Sequence, residues 1–364
     1  MKMNYLIVGA GLAGLTFANL LAQNENNKIL IVEKRHHIGG NAYDSYDENH
    51  ILIHNYGPHI FHTNNQKVWN YLSQFTKWHD YQHRVLSFVD GQFIPMPITL
   101  ETINQLYNTN LSQGEMVDFI ESQKEKVAQI KSSEDVALSN AGRDIYEKFF
   151  MNYTTKQWGV PPSELDPAVI SRIPFRFNRD TRYFTDRYQG IPKAGYTKMC
   201  EQMIDHPNIK VMLNTDYKEI KAAIDYDTMI YTGPIDYFYD HQFGKLKYRS
   251  VHFEMENHDC ESFQDTAVVN YPNDYDFTRI TEYKKMTGQK ALKTTIMKEF
   301  PGDGDEPFYP FPTKKWQELY QLYKAKAETE TNVIFAGRLA EYRYYNMDAV
   351  VDQAMQLFES MPLN

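Results

Sequence analysis

The chain has 364 residues, with 38 Lys and Arg against 47 Asp and Glu, a formal net charge of −9 and no basic tract or tail. That length allows a sizeable core in two or three lobes, and that charge argues against a nucleic-acid partner. Its two cysteines, Cys200 and Cys260, stand in unrelated contexts with no CxxC or His/Cys cluster, which argues against a structural metal and for a reducing, cytoplasmic compartment.

Tyr5 to Val8 reads as a short strand, Gly9-Ala-Gly11-Leu12-Ala-Gly14 follows at once, and Lys28 to Val32 is a second strand ending at Glu33. This is the dinucleotide fingerprint in its full βαβ setting. Gly9 allows the tight turn, Gly11 lets backbone N–H groups approach a pyrophosphate, Gly14 lets helix and strand pack closely, and Glu33 can accept ribose hydroxyls. An export signal over Met1 to Ala22 is the rival reading, but three glycines and Asn19 interrupt its apolar run. No other window approaches the roughly 18 apolar residues of a membrane span.

Next comes Gly39-Gly40-Asn41, where backbone must approach something and where a flavin would extend. Gly57-Pro-His59-Ile60-Phe-His62 looks like a loop at the cofactor's reactive end, and its two histidines lack a third metal ligand. Val85 to Val89, the Asp90-Gly91 turn and Phe93-Ile94 predict a β-hairpin ended by Pro95 and Pro97. Residues 100–157 carry a helical pattern through Met116, Phe119, Ile120, Val127 and Ile130. Short buried strands return at Ile209 to Leu213 and Met229 to Tyr231. Antiparallel strands follow over about 246–299, for example Arg249 to Met255 and Ala291 to Met297. Asn332 to Ala336 is the last strand and Met347 to Met361 the closing helix. The aromatic content, 14% with 27 Tyr, suits a sugar or nucleotide pocket, although most of these rings are expected to be packing.

Between residues 172 and 187 stand Arg172, Arg176, Arg179, Arg182 and Arg187 against Asp180 and Asp186, a local charge of +3 on a chain that is −9 overall. The contrast points to an anion site. Gly159, Pro161 and Pro162 punctuate the approach to a loop able to open and close over a substrate.

With that loop, the Gly57-to-His62 loop, Tyr153-Thr-Thr-Lys-Gln-Trp-Gly159, Ser171-Arg-Ile-Pro-Phe-Arg176, Arg182-Tyr183-Phe184, Tyr188-Gln-Gly-Ile-Pro192, Tyr309-Pro310, Gly337-Arg338 and Tyr342-Arg-Tyr344, the sequence resembles the prokaryotic UDP-galactopyranose mutases along nearly its whole length. The resemblance implies an α/β fold: a Rossmann-like FAD-binding domain over 1–80, 190–244 and 330–364, an inserted helical domain over 98–165 with a mobile substrate loop following, and an antiparallel sheet domain over 81–97, 166–189 and 245–329. It places FAD against Gly9, Gly11, Leu12, Gly14, Glu33 and Lys34, and against Gly40, Asn41, His59, Ile60, Arg338 and Met347. It makes Arg172 and Arg279 the diphosphate clamps and keeps His62 close to flavin and sugar. Phe149, Thr154, Trp158 and Asn270 then form the uridine side, Tyr183, Tyr309 and Tyr344 add diphosphate contacts, and Tyr153, His83 and Asn346 complete the pocket. A homodimer and an external reductant, NADPH or a reduced flavin, are implied with it.

The implied reaction interconverts UDP-galactopyranose and UDP-galactofuranose for cell-surface glycans. Pyranose and furanose are isomers, so no net electrons move; reduced flavin N5 carries the lone pair that can attack the anomeric carbon, forming a covalent sugar adduct as UDP leaves. The family usually has an acid at Asn346, an asparagine at His83 and a proline at Asp276. The alternatives are therefore a mutase for UDP-N-acetylgalactosamine or dTDP-fucopyranose, and, from another class, an FAD-dependent oxidoreductase or a non-catalytic flavin-binding regulator. An arginine-rich anion loop argues against the last two.

Overall fold

In the computed structural model, which describes residues 2–361, two large sheets and a helical lobe carry the chain. The first sheet is five-stranded and parallel, in the order Ile209–Met212, Ile29–Val32, Met3–Val8, Tyr226–Tyr231, Val333–Phe335. Its central strands are continuous apolar runs because both faces are covered. Helices Leu12–Ala22, Tyr196–Met203 and Met347–Ser360 cover one face, over Ile7, Ile29, Ile31 and Ile230. On the other, Leu6, Val32 and Met229 pack with Tyr217 and Tyr231.

The second sheet has seven strands in the order Tyr309–Pro310, Tyr248–His258, Thr294–Gly302, Arg279–Glu282, Val268–Asn270, Val85–Val89, Gln92–Met96. The last two form the predicted hairpin: Asp90 and Gly91 take φ of 50° and 74°, the two left-handed residues a two-residue turn requires. Val268–Asn270 runs parallel to Val85–Val89, while the sheet's other pairings are antiparallel. The hairpin comes from far earlier in the chain, so no tight turn obliges it to enter antiparallel.

Thr99, Ser112 and Ser132 each form a capping box at the start of a helix in the lobe that packs on this hairpin. The helix Gln113–Gln123 stops short of the predicted pattern. Residues 124–132 are not helical and Ile130 is exposed, because the cap at Ser132 and Asp135 begins a new helix there. A third sheet, unforeseen from the sequence, joins Phe61–Thr63 and Trp78–His79 to opposite edges of Tyr188–Pro192. Among the described residues no helix is long and apolar enough to cross a membrane, and no cluster of three or more His, Cys, Asp or Glu side chains gathers as a metal site.

Candidate active site

The glycine turns open a cleft of about 570 Å³. Gly9 has φ +101°, and a Cβ there would lie 2.1 Å from Thr232 Oγ1; a Cβ on Gly14 would lie 2.1 Å from the Gly9 carbonyl oxygen. Gly14 therefore serves helix–strand packing and does not line the cleft, whereas Gly9, Gly11 and Leu12 do. Gly40 faces Gly11 so closely that a Cβ on it would lie 2.9 Å from the Gly11 Cα. The helix Leu12–Ala22 starts at Gly11 with no side-chain cap and no acidic residue in its first turn, so its N–H groups are left for an anion.

Glu33 accepts the backbone N–H groups of Ala10 and Arg35, both at 2.9 Å, which fixes its carboxylate beside the turn. Lys34, Gly40, Asn41, His59, Arg338 and Met347 also line the cleft, and Asn41 accepts Arg35 Nη1 at 3.0 Å. Ile60 instead packs on the core beside it. Tyr217, Tyr237 and Lys245 also belong to the lining. A cleft lined by glycine turns, an uncapped helix N-terminus and a fixed carboxylate fits a dinucleotide.

His59 joins this cleft to the anion site. Burial lowers its imidazole to about 4, opposed by the Gly57 carbonyl and aided by Arg338 and Arg279. Arg279 lies on a central strand of the large sheet, opposite Asn270 on one side and Glu299 on the other. Its Nε is 3.1 Å from Glu299 Oε2. Burial weakens the arginine's charge, but Glu299, Tyr153, Tyr309 and Tyr183 outweigh it and raise its pKa. Glu299 is itself buried, which holds its carboxyl above the ordinary range despite the arginine.

Arg172 arrives from the loop and places its guanidinium 4.5 Å above the Tyr344 ring, with Arg338 5.2 Å from the same ring. Burial pushes the Tyr344 phenol up, but Arg172, Arg338 and Arg279 more than offset it and hold its pKa below the usual tyrosine value. Tyr309 packs against Tyr344 with centroids 5.3 Å apart, and Tyr183 feels both Arg172 and Arg279. Three arginines thus converge on one ring of tyrosines. Arg172 and Tyr344 keep open surface while protein crowds them from several sides, as cleft linings do. Clustered guanidinium groups and hydroxyls are the chemistry that suits an anion such as a diphosphate.

His83 is buried; burial first, then Arg279 and the neighbouring His62, lower its imidazole to about 3, so it is neutral. Its Nδ1 contacts the Tyr81 hydroxyl at 3.0 Å. Asn346 is the N-cap of the closing helix yet makes no capping bond, and it is exposed. Asp276 is exposed on the loop between Asn270 and Arg279 and supports the ammonium of Lys156.

Trp158 stands beside this array, its ring centroid 6.3 Å from that of Tyr309. Phe149 lies in a π-helical turn and packs in the helical core, and Trp158 also packs with Leu165, Val169 and Phe311. Thr154 is buried one turn before Trp158. The other loop arginines are engaged elsewhere: Arg176 donates to the carbonyls of Asp180 at 3.0 Å and Tyr183 at 3.2 Å, Arg182 pairs with Asp180, Arg179 pairs with Glu101, and Arg187 lies 5.1 Å above Tyr188.

Several supporting residues carried no sequence signal. Buried Arg249 donates to the carbonyls of Lys156 and Gln157, fixing the end of the helix that bears Trp158. Lys156, its ammonium lowered to about 8 by burial, donates to the carbonyls of Tyr275 at 2.8 Å and Phe277 at 3.1 Å, tying that helix to the turn between Asn270 and Arg279.

Residues 148–344 match the family described as UDP-galactopyranose mutase, and residues 7–75 match an NAD(P)-binding Rossmann-like domain. Over 360 residues the chain is 39% identical to the probable UDP-galactopyranose mutase of Klebsiella pneumoniae, covering 97% of this chain and 93% of that protein. Over 363 residues it is 39% identical to the dTDP-fucopyranose mutase of Escherichia coli, covering 96% of each. It superposes on a crystal structure of reduced UDP-galactopyranose mutase with a TM-score of 0.79, covering 98% of this chain and 95% of that one at 17% identity, which shows the fold. A family match over more than half of the chain, with relatives similar along nearly all of it, makes this chain a member of the UDP-galactopyranose mutase family, isomerases with a flavin on a Rossmann-like domain.

Proposed function

We propose that the chain interconverts UDP-galactopyranose and UDP-galactofuranose with FAD, in its reduced form, as cofactor. The observation that carries this reading is the convergence of Arg172, Arg279 and Arg338 on Tyr344, next to the dinucleotide cleft and joined to it at His59. FAD is favoured over a shorter flavin because the cleft is lined by the full dinucleotide fingerprint, with Glu33 held beside the glycine turn where it can accept ribose hydroxyls. When bound and reduced, the flavin supplies a nucleophilic nitrogen and needs no catalytic carboxylate pair.

The protein's own part is to hold and orient. Arg172 and Arg279 bind the diphosphate as a retained leaving group and stabilise its charge, and Tyr183, Tyr309 and Tyr344 donate to its oxygens. Phe149, Tyr153, Thr154, Trp158 and Asn270 take the uridine. His83 and Asn346 face the sugar, and His62 stands at the reactive end. A cytoplasmic homodimer, kept reduced by NADPH or a reduced flavin, completes the reading.

A second sugar has support in the chain itself. Neutral His83 stands where the family resemblance expects asparagine, Asn346 stands where it expects an acid, and a dTDP-fucopyranose mutase is 39% identical. The test is chromatography of the dithionite-reduced protein with UDP-galactofuranose and with the furanose forms of UDP-N-acetylgalactosamine and dTDP-fucose. Starting from the furanose gives the larger signal because the pyranose is the more stable ring. UDP-galactofuranose is expected to turn over fastest. Turnover no faster than either competitor overturns the galactose assignment, and a rise in galactose activity in Asn346→Asp/His83→Asn would then assign the retuning to these residues.

A further inference from the structure

His62 is held from two sides. Its Nδ1 lies 2.9 Å from Asp186 Oδ2, and its ring stacks on Phe184 with centroids 3.6 Å apart and planes 13° from parallel. Asn64 Nδ2 donates to the other Asp186 oxygen at 2.6 Å, and the Arg187 N–H, donating to Asn64 Oδ1 at 2.9 Å, fixes which way that amide points. A carboxylate accepts on both oxygens, so both partners are donors and the proton of neutral His62 sits on Nδ1. Nε2 keeps its lone pair.

The holders are themselves pinned. Gln189 pairs with His62 across the small sheet, and its Nε2 donates to the carbonyl of Asp186 at 2.9 Å and of Phe184 at 3.3 Å. Asp186 and Phe184 belong to the far end of the arginine loop whose near end carries Arg172.

We propose that Asp186 is a positioning residue for the isomerisation: it fixes His62 in the Nδ1–H tautomer so that Nε2 relays a proton between oxygens of the sugar. This rests on the mutase reading above. Converting a six-membered to a five-membered sugar ring releases the ring oxygen, which gains a proton, and closes through a hydroxyl oxygen, which loses one. One proton is delivered and one recovered in each turnover, with no net change and no external acid or base consumed. An imidazole with a free lone pair on one nitrogen and a carboxylate on the other suits that relay, because the carboxylate stabilises the imidazolium while it lasts. The loop that carries one diphosphate clamp thereby also sets the relay.

The experiment is ¹⁵N NMR of histidine-labelled, flavin-loaded protein, with the His62 signals assigned by their loss in His62→Gln, alongside kinetics of Asp186→Asn. Wild type is expected to show the Nδ1–H tautomer. Asp186→Asn is expected to lose that tautomer, lower kcat about 10- to 100-fold with KM within about twofold, and add no further loss in the His62→Gln background. An Nε2–H tautomer in wild type overturns the proposal without any variant, as do additive losses in the double variant or an unchanged kcat in Asp186→Asn. Wild type that shows the Nδ1–H tautomer but isomerises no nucleotide sugar removes the mutase reading and the relay, and leaves only the orientation of His62 by Asp186.

Discussion

Replacing Arg172 or Arg279 with alanine is expected to remove most mutase activity while the flavin stays bound. Both guanidinium groups act on Tyr183 and Tyr344, so both face the same small volume, and neither is needed to build the glycine turns. A charge-assisted hydrogen bond to phosphate contributes about 1.5–3 kcal/mol, which corresponds to roughly ten- to a few-hundred-fold in rate. Arg176 and Arg187 are the controls. Arg176 holds carbonyls of its own loop and Arg187 covers Tyr188 at the surface, so alanine at either should cost less. The check is kcat/KM with flavin absorbance measured on the same samples. Four equal losses would contradict the clamp.

Gly14→Ala is expected to destabilise the protein and release its flavin. The added methyl would lie 2.1 Å from the Gly9 carbonyl oxygen and 3.1 Å from Ile7 Cγ2, so backbone must move, and the backbone that moves is the turn beside the cofactor cleft. Forced overpacking of this kind costs about 1–3 kcal/mol or more. Gly114→Ala is the matched control: that glycine lies in the helix Gln113–Gln123 with nothing within 4 Å of the new methyl, and alanine there should add about 0.5–1 kcal/mol of stability. Urea midpoints and flavin retained after desalting distinguish the two. Wild-type retention and stability in Gly14→Ala would show that the close approach is unnecessary.

What was legible in the sequence was local. The glycine fingerprint and the Asp90-Gly91 hairpin could be read because each depends on residues within a few positions and on a φ that only certain residues adopt readily. The helical stretch was over-extended at Val127 and Ile130, where the Ser132 cap competes with apolar spacing. By itself the arginine-rich loop marked only an anion site; the individual residues of the active site were legible through resemblance to a family. Arg172, Arg279 and Arg338 come from three distant segments, and no spacing rule predicts that they share one tyrosine. The pairing of His62 with Asp186, 124 positions apart, depends on strands too short to show a pattern. Glu299 drew no notice in the sequence; it is buried opposite Arg279 on the neighbouring strand. Phe149 and Trp158, expected on the uridine side, are packed among hydrophobic neighbours, Phe149 in the helical core and Trp158 with Leu165, Val169 and Phe311.

The central claim is that this site isomerises a nucleotide sugar with a bound flavin that must be reduced yet is not consumed. The most direct measurement follows UDP-galactofuranose conversion by one flavin-loaded preparation, fully oxidised in air and then anaerobically reduced with a counted amount of dithionite. The account predicts negligible conversion in the oxidised state and many turnovers per reducing equivalent in the reduced state. Equal conversion by the oxidised protein, or one reducing equivalent spent per product, would contradict it.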